Sequence, residues 1–302
     1  MLAVLLALAA AAGYGGSDYA AGLAARQASV VRVTVLVEVT SAALLLCVVP
    51  FISSQAPSLA SVLWGIAAGA SGVAGAMALY LGFRHAAFSV ASSVSAVGSA
   101  AFSVLAGVVL GEQPGAISLA GIALALPAIV AVSAPASRQD PEVALPRQPL
   151  GGSRGVAPPG QHRHAVGVGL GLAAGAGFGM FFIGLNEAGS VTDLWPIVIS
   201  QVAAMVTVTC VAASTRDLRL PPKGARRLSV MTGAIGATGT TMFFLSTHHG
   251  LLAVTAVITS LYPAMTILLA RVLSGERLTA LRVIGLSLAA ASVALIAAGG
   301  TG

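Results

Sequence analysis

Charge is what this sequence has least of. Asp, Glu, Lys and Arg together make up 8% of its 302 residues, against roughly 25% in a soluble domain, which excludes an ordinary water-soluble core with a charged shell. Aromatic residues stand at 5% and cysteines at two, Cys47 and Cys210, each inside an apolar run. Two isolated thiols exclude a disulfide scaffold and leave too few ligands for a zinc site. No Walker-type phosphate loop is present, and no Lys or Arg precedes the first apolar run, so the charged start of a secretory signal is missing. What is abundant is the complement: 57% hydrophobic residues and 36 glycines, with a mean hydropathy of +0.95. That mixture of Ala, Val, Leu and Gly lets membrane helices approach closely. The expected fold class is all-α, a polytopic membrane protein.

Apolar runs of membrane-spanning length fall at 2–24, 30–51, 59–82, 87–110 and 116–134, and again at 165–187, 194–214, 228–249, 251–274 and 280–299. Between the sets, Pro135, Pro141, Pro146, Pro149, Pro158 and Pro159 mark a Pro/Gly-rich linker at 135–164. The expected organisation is one five-span unit at 1–134, the linker, and a second five-span unit at 165–302. All fifteen Lys and Arg lie in or beside alternate connections, the linker included. The net charge of +6 is therefore a topology signal and not a nucleic-acid footprint, and the positive-inside rule puts those connections in the cytoplasm and both termini outside.

The halves repeat. A shift of 164 lays Gly111-Glu112 on Gly275-Glu276, Gly121 on Gly285, His85 on His249, and Gly13-Tyr14-Gly15 on Gly177-Phe178-Gly179; a slip to 163 sets Cys47 on Cys210 and Glu38 on Gln201. Because five spans are an odd number, the second unit must enter the membrane from the opposite side, giving two inverted repeats.

Two five-span units, each with a Gly-Glu turn between its fourth and fifth spans (Gly111-Glu112-Gln113 and Gly275-Glu276-Arg277), resemble the EamA-type branch of the drug/metabolite transporter superfamily. The resemblance covers nearly the whole chain. It implies a ten-span carrier with a central cavity between the repeats, in a superfamily that moves amino acids, sugars, nucleotide-like metabolites and drugs. The long linker, and Tyr14 where commoner members have Trp beside the first-span glycines, depart from that pattern.

Glu38, near the middle of the second span, is the sharpest candidate for chemistry. A carboxyl there costs on the order of 2.5–3.5 kcal/mol unless it meets a partner or water. It reads either as a cavity group that binds a substrate amine or takes up a proton, or as a structural partner of Arg32 or of Gln201. Asp18 follows Gly13, Gly15 and Gly16 in the first span and is a second proton-site candidate, unless it is simply hydrated. Tyr14, with Tyr19 on the same segment, reads either as a ligand contact or as an aromatic anchor at the membrane interface, the commoner use near a span end. In the fourth span Ser95 and Ser99, and in the ninth Thr259, Tyr262 and Pro263, form a polar, uncharged wall, with Pro263 freeing a carbonyl where the helix can break. Arg32 is expected to snorkel to the surface, and His248 and His249 to be passive near the outer face. The His162-Arg163-His164 tract lacks a Cys or carboxylate at ligand spacing, so no metal is expected, and no cofactor. Gly171, Gly175 and Gly179, like Gly65 and Gly69, recur at close-packing spacing.

The functional expectation is a secondary transporter of the cell (inner) membrane, working by alternating access around spans 1, 2, 4, 6, 7 and 9. Its cargo would be a small polar metabolite such as an amino acid, with export expected over uptake and protons as the coupling ion. Partners are that small molecule and membrane lipid, no nucleic acid, and at most a weak homo-oligomer around a monomer. The rivals are an uncoupled facilitator or drug efflux permease and, in another class, a membrane-embedded enzyme or lipid-handling protein. The last requires Glu38, Asp18 and the histidines to converge.

Overall fold

A computed structural model describes residues 1–53, 56–82, 88–133, 161–190, 192–274 and 279–299. Its regular structure is helical throughout those residues: α1 (Leu2–Ala25), α2 (Val30–Ile52), α3 (Leu59–Gly82), α4 (Phe88–Val109), α5 (Ala116–Val132), α6 (Gln161–Glu187), α7 (Trp195–Ser214), α8 (Lys223–Thr247), α9 (Leu252–Thr259), α10 (Tyr262–Ser274) and α11 (Ala280–Gly299). Among the described residues eight stretches are long and apolar enough to cross a membrane, with α9 and α10 together forming one; Val94–Val109 of α4 and the whole of α5 are shorter apolar helices. The chain is a multi-pass membrane protein.

The helices follow the apolar runs closely, with two instructive departures. Helix α6 starts at Gln161, inside the stretch read as linker 135–164, and α8 starts at Lys223, five residues before its apolar run. Backbone hydrogen bonding is indifferent to hydropathy, so a helix can continue past the lipid with polar turns. Residues 135–160, Arg84, His85 and the Gly275-Glu276-Arg277 turn lie outside the described residues.

The apolar run at 251–274 is two helices, not one. Pro263 has no N–H, so the carbonyl of Thr259 loses its helical partner. The chain crosses the gap with tighter bonds, Leu261 N–H to the Ile258 carbonyl (3.1 Å) and Ala264 N–H to the Leu261 carbonyl (2.9 Å).

The start of α9 is held by Glu112. Its carboxylate accepts from the backbone N–H groups of Leu252 and of Ala253, the second at 2.9 Å, so an acidic side chain answers the orphan donors and the positive dipole end of a helix from the other half of the chain. Gly111, at φ +93°, makes the turn that aims it. The Gly-Glu pair read as a fold marker is thus a cap between halves. Glu112→Ala should lower stability by about 2–3 kcal/mol, since two charge-assisted bonds are lost. Thermal unfolding in detergent checks this, and an unchanged midpoint would contradict it.

Close glycine contacts fix the packing. A Cβ on Gly13 (α1) would stand 2.7 Å from the Cα of Gly239 (α8), and one on Gly177 (α6) 2.7 Å from the Cα of Gly75 (α3). Gly121 (α5) presses on Ile296 (α11), and Gly285 (α11) on Val132 (α5). Gly69 (α3) lies against the Ser200 carbonyl and Ala203 (α7), while Gly233 (α8) lies against the Val37 carbonyl and Thr40 (α2). The small-residue stripes read from sequence do serve packing: Gly65 and Gly69 seat α3 on α7, and Gly175 and Gly179 seat α6 on Gly98 and Phe102 of α4.

Candidate functional site

Helices α2 and α7 run antiparallel. At one end Ser29, before α2, bonds Asp217, after α7; at the other Ser53, after α2, donates to the Thr192 carbonyl before α7 (3.4 Å). Between these ends Gln201 Nε2 donates to Glu38 Oε2 at 3.4 Å. The two residues matched by the sequence repeat therefore meet. Their backbones are positioned by glycine, since Gly233 presses on α2 at Val37 and Gly69 presses on α7 at Ser200, in each case the residue just before the polar side chain. Ser41, about one turn beyond Glu38, donates to the Gly233 carbonyl (2.8 Å) and ties α2 to α8.

Tyr14 extends this polar seam. Its hydroxyl donates to Thr240 Oγ1 of α8 (3.1 Å), its ring lies 6.5 Å from that of Phe182 of α6, and its phenol is within electrostatic reach of Glu38 and Asp18. Asp18 is exposed and has no hydrogen-bond partner among the described residues.

The hydroxyl wall lies where α4 meets α9. Ser99 contacts Ser260 at 3.3 Å and donates to the Ala96 carbonyl at 3.0 Å. Ser95 and Thr259 are fully buried, and their hydroxyls have no hydrogen-bond partner among the described residues. Unsatisfied buried hydroxyls are uncommon in folded proteins. Tyr262 and buried Pro263 follow at the helix break, where the Tyr262 carbonyl lies against Gly15 and Thr266 donates to the Gly15 carbonyl (3.2 Å). Helix α1 thus joins the hydroxyl wall to the segment that bears Tyr14.

Two readings made from sequence are corrected. Arg32 is not the partner of Glu38, and it does not simply snorkel. Its Nε–H donates to Asp217 Oδ1 at 2.5 Å, and Ser29 bonds the same carboxylate. Asp217 was passed over, although it is the lone acid in a basic connection. The Ser29 hydroxyl and the Arg32 guanidinium hold its carboxyl below the ordinary value of 3.8. A depressed folded pKa contributes stability above the unfolded value, and that stability is lost as pH falls through the folded one. Asp217→Asn should therefore cost up to about 1 kcal/mol at neutral pH, as expected for a half-exposed pair. The difference from wild type should be constant from pH 5.5 to 8 and shrink below about pH 4 in thermal unfolding; a difference that grew on acidification would contradict the pairing.

Asp193 was missed too. It is 4% exposed, accepts from Ser61 Oγ at 2.6 Å and from the Trp195 N–H at 3.1 Å, and so ties the start of α7 to α3. An Asp two residues before Trp195-Pro196 is a legible helix-start signal. His248 bonds within its own helix end, Nδ1 to the Phe244 carbonyl at 2.8 Å, and Thr247 is its other polar contact. It does not converge with Glu38, as the enzyme reading required.

The fold matches solved structures. One, titled only "Crystal structure of protein", superposes with a TM-score of 0.70 at 16% identity, covering 97% of this chain and 95% of its own, a likeness of fold alone. No curated protein matches the sequence. A family model described as "EamA-like transporter family" matches residues 165–298, the stretch that carries Gln201, Thr259, Tyr262 and Pro263. Over residues 165–298, a little under half of its length, the chain is similar to the EamA-like transporter family.

Proposed function

We propose that the protein is a secondary transporter with ten spans in two inverted repeats, carrying a small polar solute through the seam at Glu38 and Gln201. The observation that carries this reading is the reciprocity of the glycine contacts. Positions 164 apart exchange partners: Gly13 meets Gly239 while Gly177 meets Gly75, and Gly121 meets Ile296 while Gly285 meets Val132. With the 163 offset of the second spans, Gly69 on Ser200 and Gly233 on Val37 form a third such pair. Exchange of this kind is what a two-fold axis produces, whereas simple translation of a unit does not. Equivalent helices α2 and α7 running antiparallel support an axis in the membrane plane.

In this reading Glu38 takes up the coupling proton and Gln201, Tyr14 and Asp18 line the same cavity. Ser95, Ser99, Thr259 and Tyr262 provide the uncharged wall, and the break at Pro263 lets α9 and α10 move separately. With no phosphate loop in the chain, an ion gradient is the available drive. An amino acid or similar metabolite suits carboxyls beside an amide and hydroxyls, and export from the cell is the direction we infer from the resemblance to the family. The hydrogen bond from Gln201 also supports a second reading, an uncoupled facilitator in which Glu38 is structural. The test is purified protein in vesicles, offered labelled amino acids, sugars and cationic drugs with and without a pH gradient. Movement of at least one solute above empty vesicles is expected; none for any class would overturn the proposal.

A further inference from the structure

A cavity of about 130 Å³ lies between α2 and the connection after α7, toward the Ser29–Asp217 end of the two helices. Arg32, Val35, Leu36 and Val39 line it from one face of α2, over about 10 Å of helix. Leu218 and Arg219 line it from the connection. Its two ends differ in character. At the start of the span stand Arg32 and Arg219 with the carboxylate of Asp217 between α2 and the connection; deeper in, the lining is aliphatic, and Val39 is exposed. The connection is itself amphipathic, with Leu218 57% and Leu220 67% exposed. Residues 216–227 also carry Arg216, Arg219, Lys223, Arg226 and Arg227 against the single acid Asp217, which pairs with Arg32 and lies within electrostatic reach of Arg219, so the lining keeps one net positive charge.

A groove that begins in cations at the water boundary and continues as aliphatic surface within the span is complementary to one kind of molecule. A soluble anion would leave the apolar half unfilled, and a peptide would strand its backbone amides in the hydrocarbon layer. We infer that this groove binds an anionic phospholipid, with the phosphate at Arg219 and Arg32 and an acyl chain along Val35, Leu36 and Val39. The ion pair with Asp217 uses Nε of Arg32, and a guanidinium has further N–H groups to offer. Basic pockets beside membrane spans are suited to such headgroups, each cation near the surface adding attraction.

The test uses the full chain released from nanodiscs of phosphatidylcholine containing phosphatidylglycerol, with retained lipid counted by native mass spectrometry. Wild type should retain one phosphatidylglycerol in preference to phosphatidylcholine. Arg219→Gln should weaken that retention about fivefold. Arg227→Gln, in the same basic segment but outside the lining, should leave it unchanged. Leu218→Ser should weaken it by removing apolar lining, while inorganic phosphate alone should not compete. Equal retention of both lipids, no effect of Arg219→Gln, or an equal effect of Arg227→Gln would overturn the assignment, the last by reducing it to diffuse surface charge. Displacement by inorganic phosphate would do so as well. The outcome does not depend on transport.

Discussion

Glu38→Gln should abolish pH-driven accumulation while leaving movement down a solute gradient intact. One pH unit is worth about 1.4 kcal/mol per proton, so a carrier exchanging one proton per solute can build about a tenfold concentration ratio from a one-unit gradient. The variant, whose amide cannot ionise, should reach a ratio near one. Its bond to Gln201 can persist, because an amide oxygen still accepts from Nε2, so the bundle should stay intact and the loss should lie in coupling. Vesicles loaded at pH 5.5 to 8 and assayed with and without a gradient read both quantities. Unchanged accumulation by Glu38→Gln would move Glu38 to the structural role and favour the facilitator. Asp18→Asn is the companion experiment, since Asp18 is the other carboxyl near Tyr14.

Among the packing contacts, the largest expected effect on stability is at Gly69. A Cβ there would collide with the Ser200 carbonyl and stand 2.9 Å from the Ala203 Cβ. Neither backbone nor a methyl group can rotate away, so α3 and α7 must separate. Overpacking of this kind costs about 1–3 kcal/mol, and Gly69→Ala should fall at the upper end. Gly233→Ala should behave similarly, with its Cβ 2.6 Å from the Val37 carbonyl. Gly22 provides the contrast. Nothing stands within 4 Å of a Cβ there, and the site is helical, so Gly22→Ala should be neutral or stabilising by about 0.5–1 kcal/mol. Thermal unfolding in one detergent ranks the three. If Gly69→Ala unfolded no earlier than Gly22→Ala, the close approach of α3 to α7 would be wrong.

Local signals reached far in this chain. The helices were legible because apolar runs mark them, eight stretches among the described residues being long and apolar enough to cross lipid, and observed helix ends lie within a few residues of the runs, save at α6 and α8 where polar turns extend them. The pairing of Glu38 with Gln201 was legible because an internal repeat adds a second, nonlocal signal. The break in the run at 251–274 was legible from Pro263, since a missing N–H acts at a fixed distance along the chain. Three features were not. Glu112 caps α9, Arg32 pairs with Asp217, and Thr240 receives the Tyr14 hydroxyl. Each joins residues more than a hundred positions apart with no repeat offset between them, and no periodicity encodes such partners.

The central claim is that the two units lie in the membrane in opposite senses with the seam between them. Cysteine labelling tests it most directly in a background lacking Cys47 and Cys210. The connection after α2 and the connection after α7 occupy the same place in each unit. Ala56→Cys should react with an impermeant maleimide applied to intact cells, and Thr215→Cys only after the cells are opened. Reaction of both from the same side would contradict the inverted arrangement and the transport route built on it.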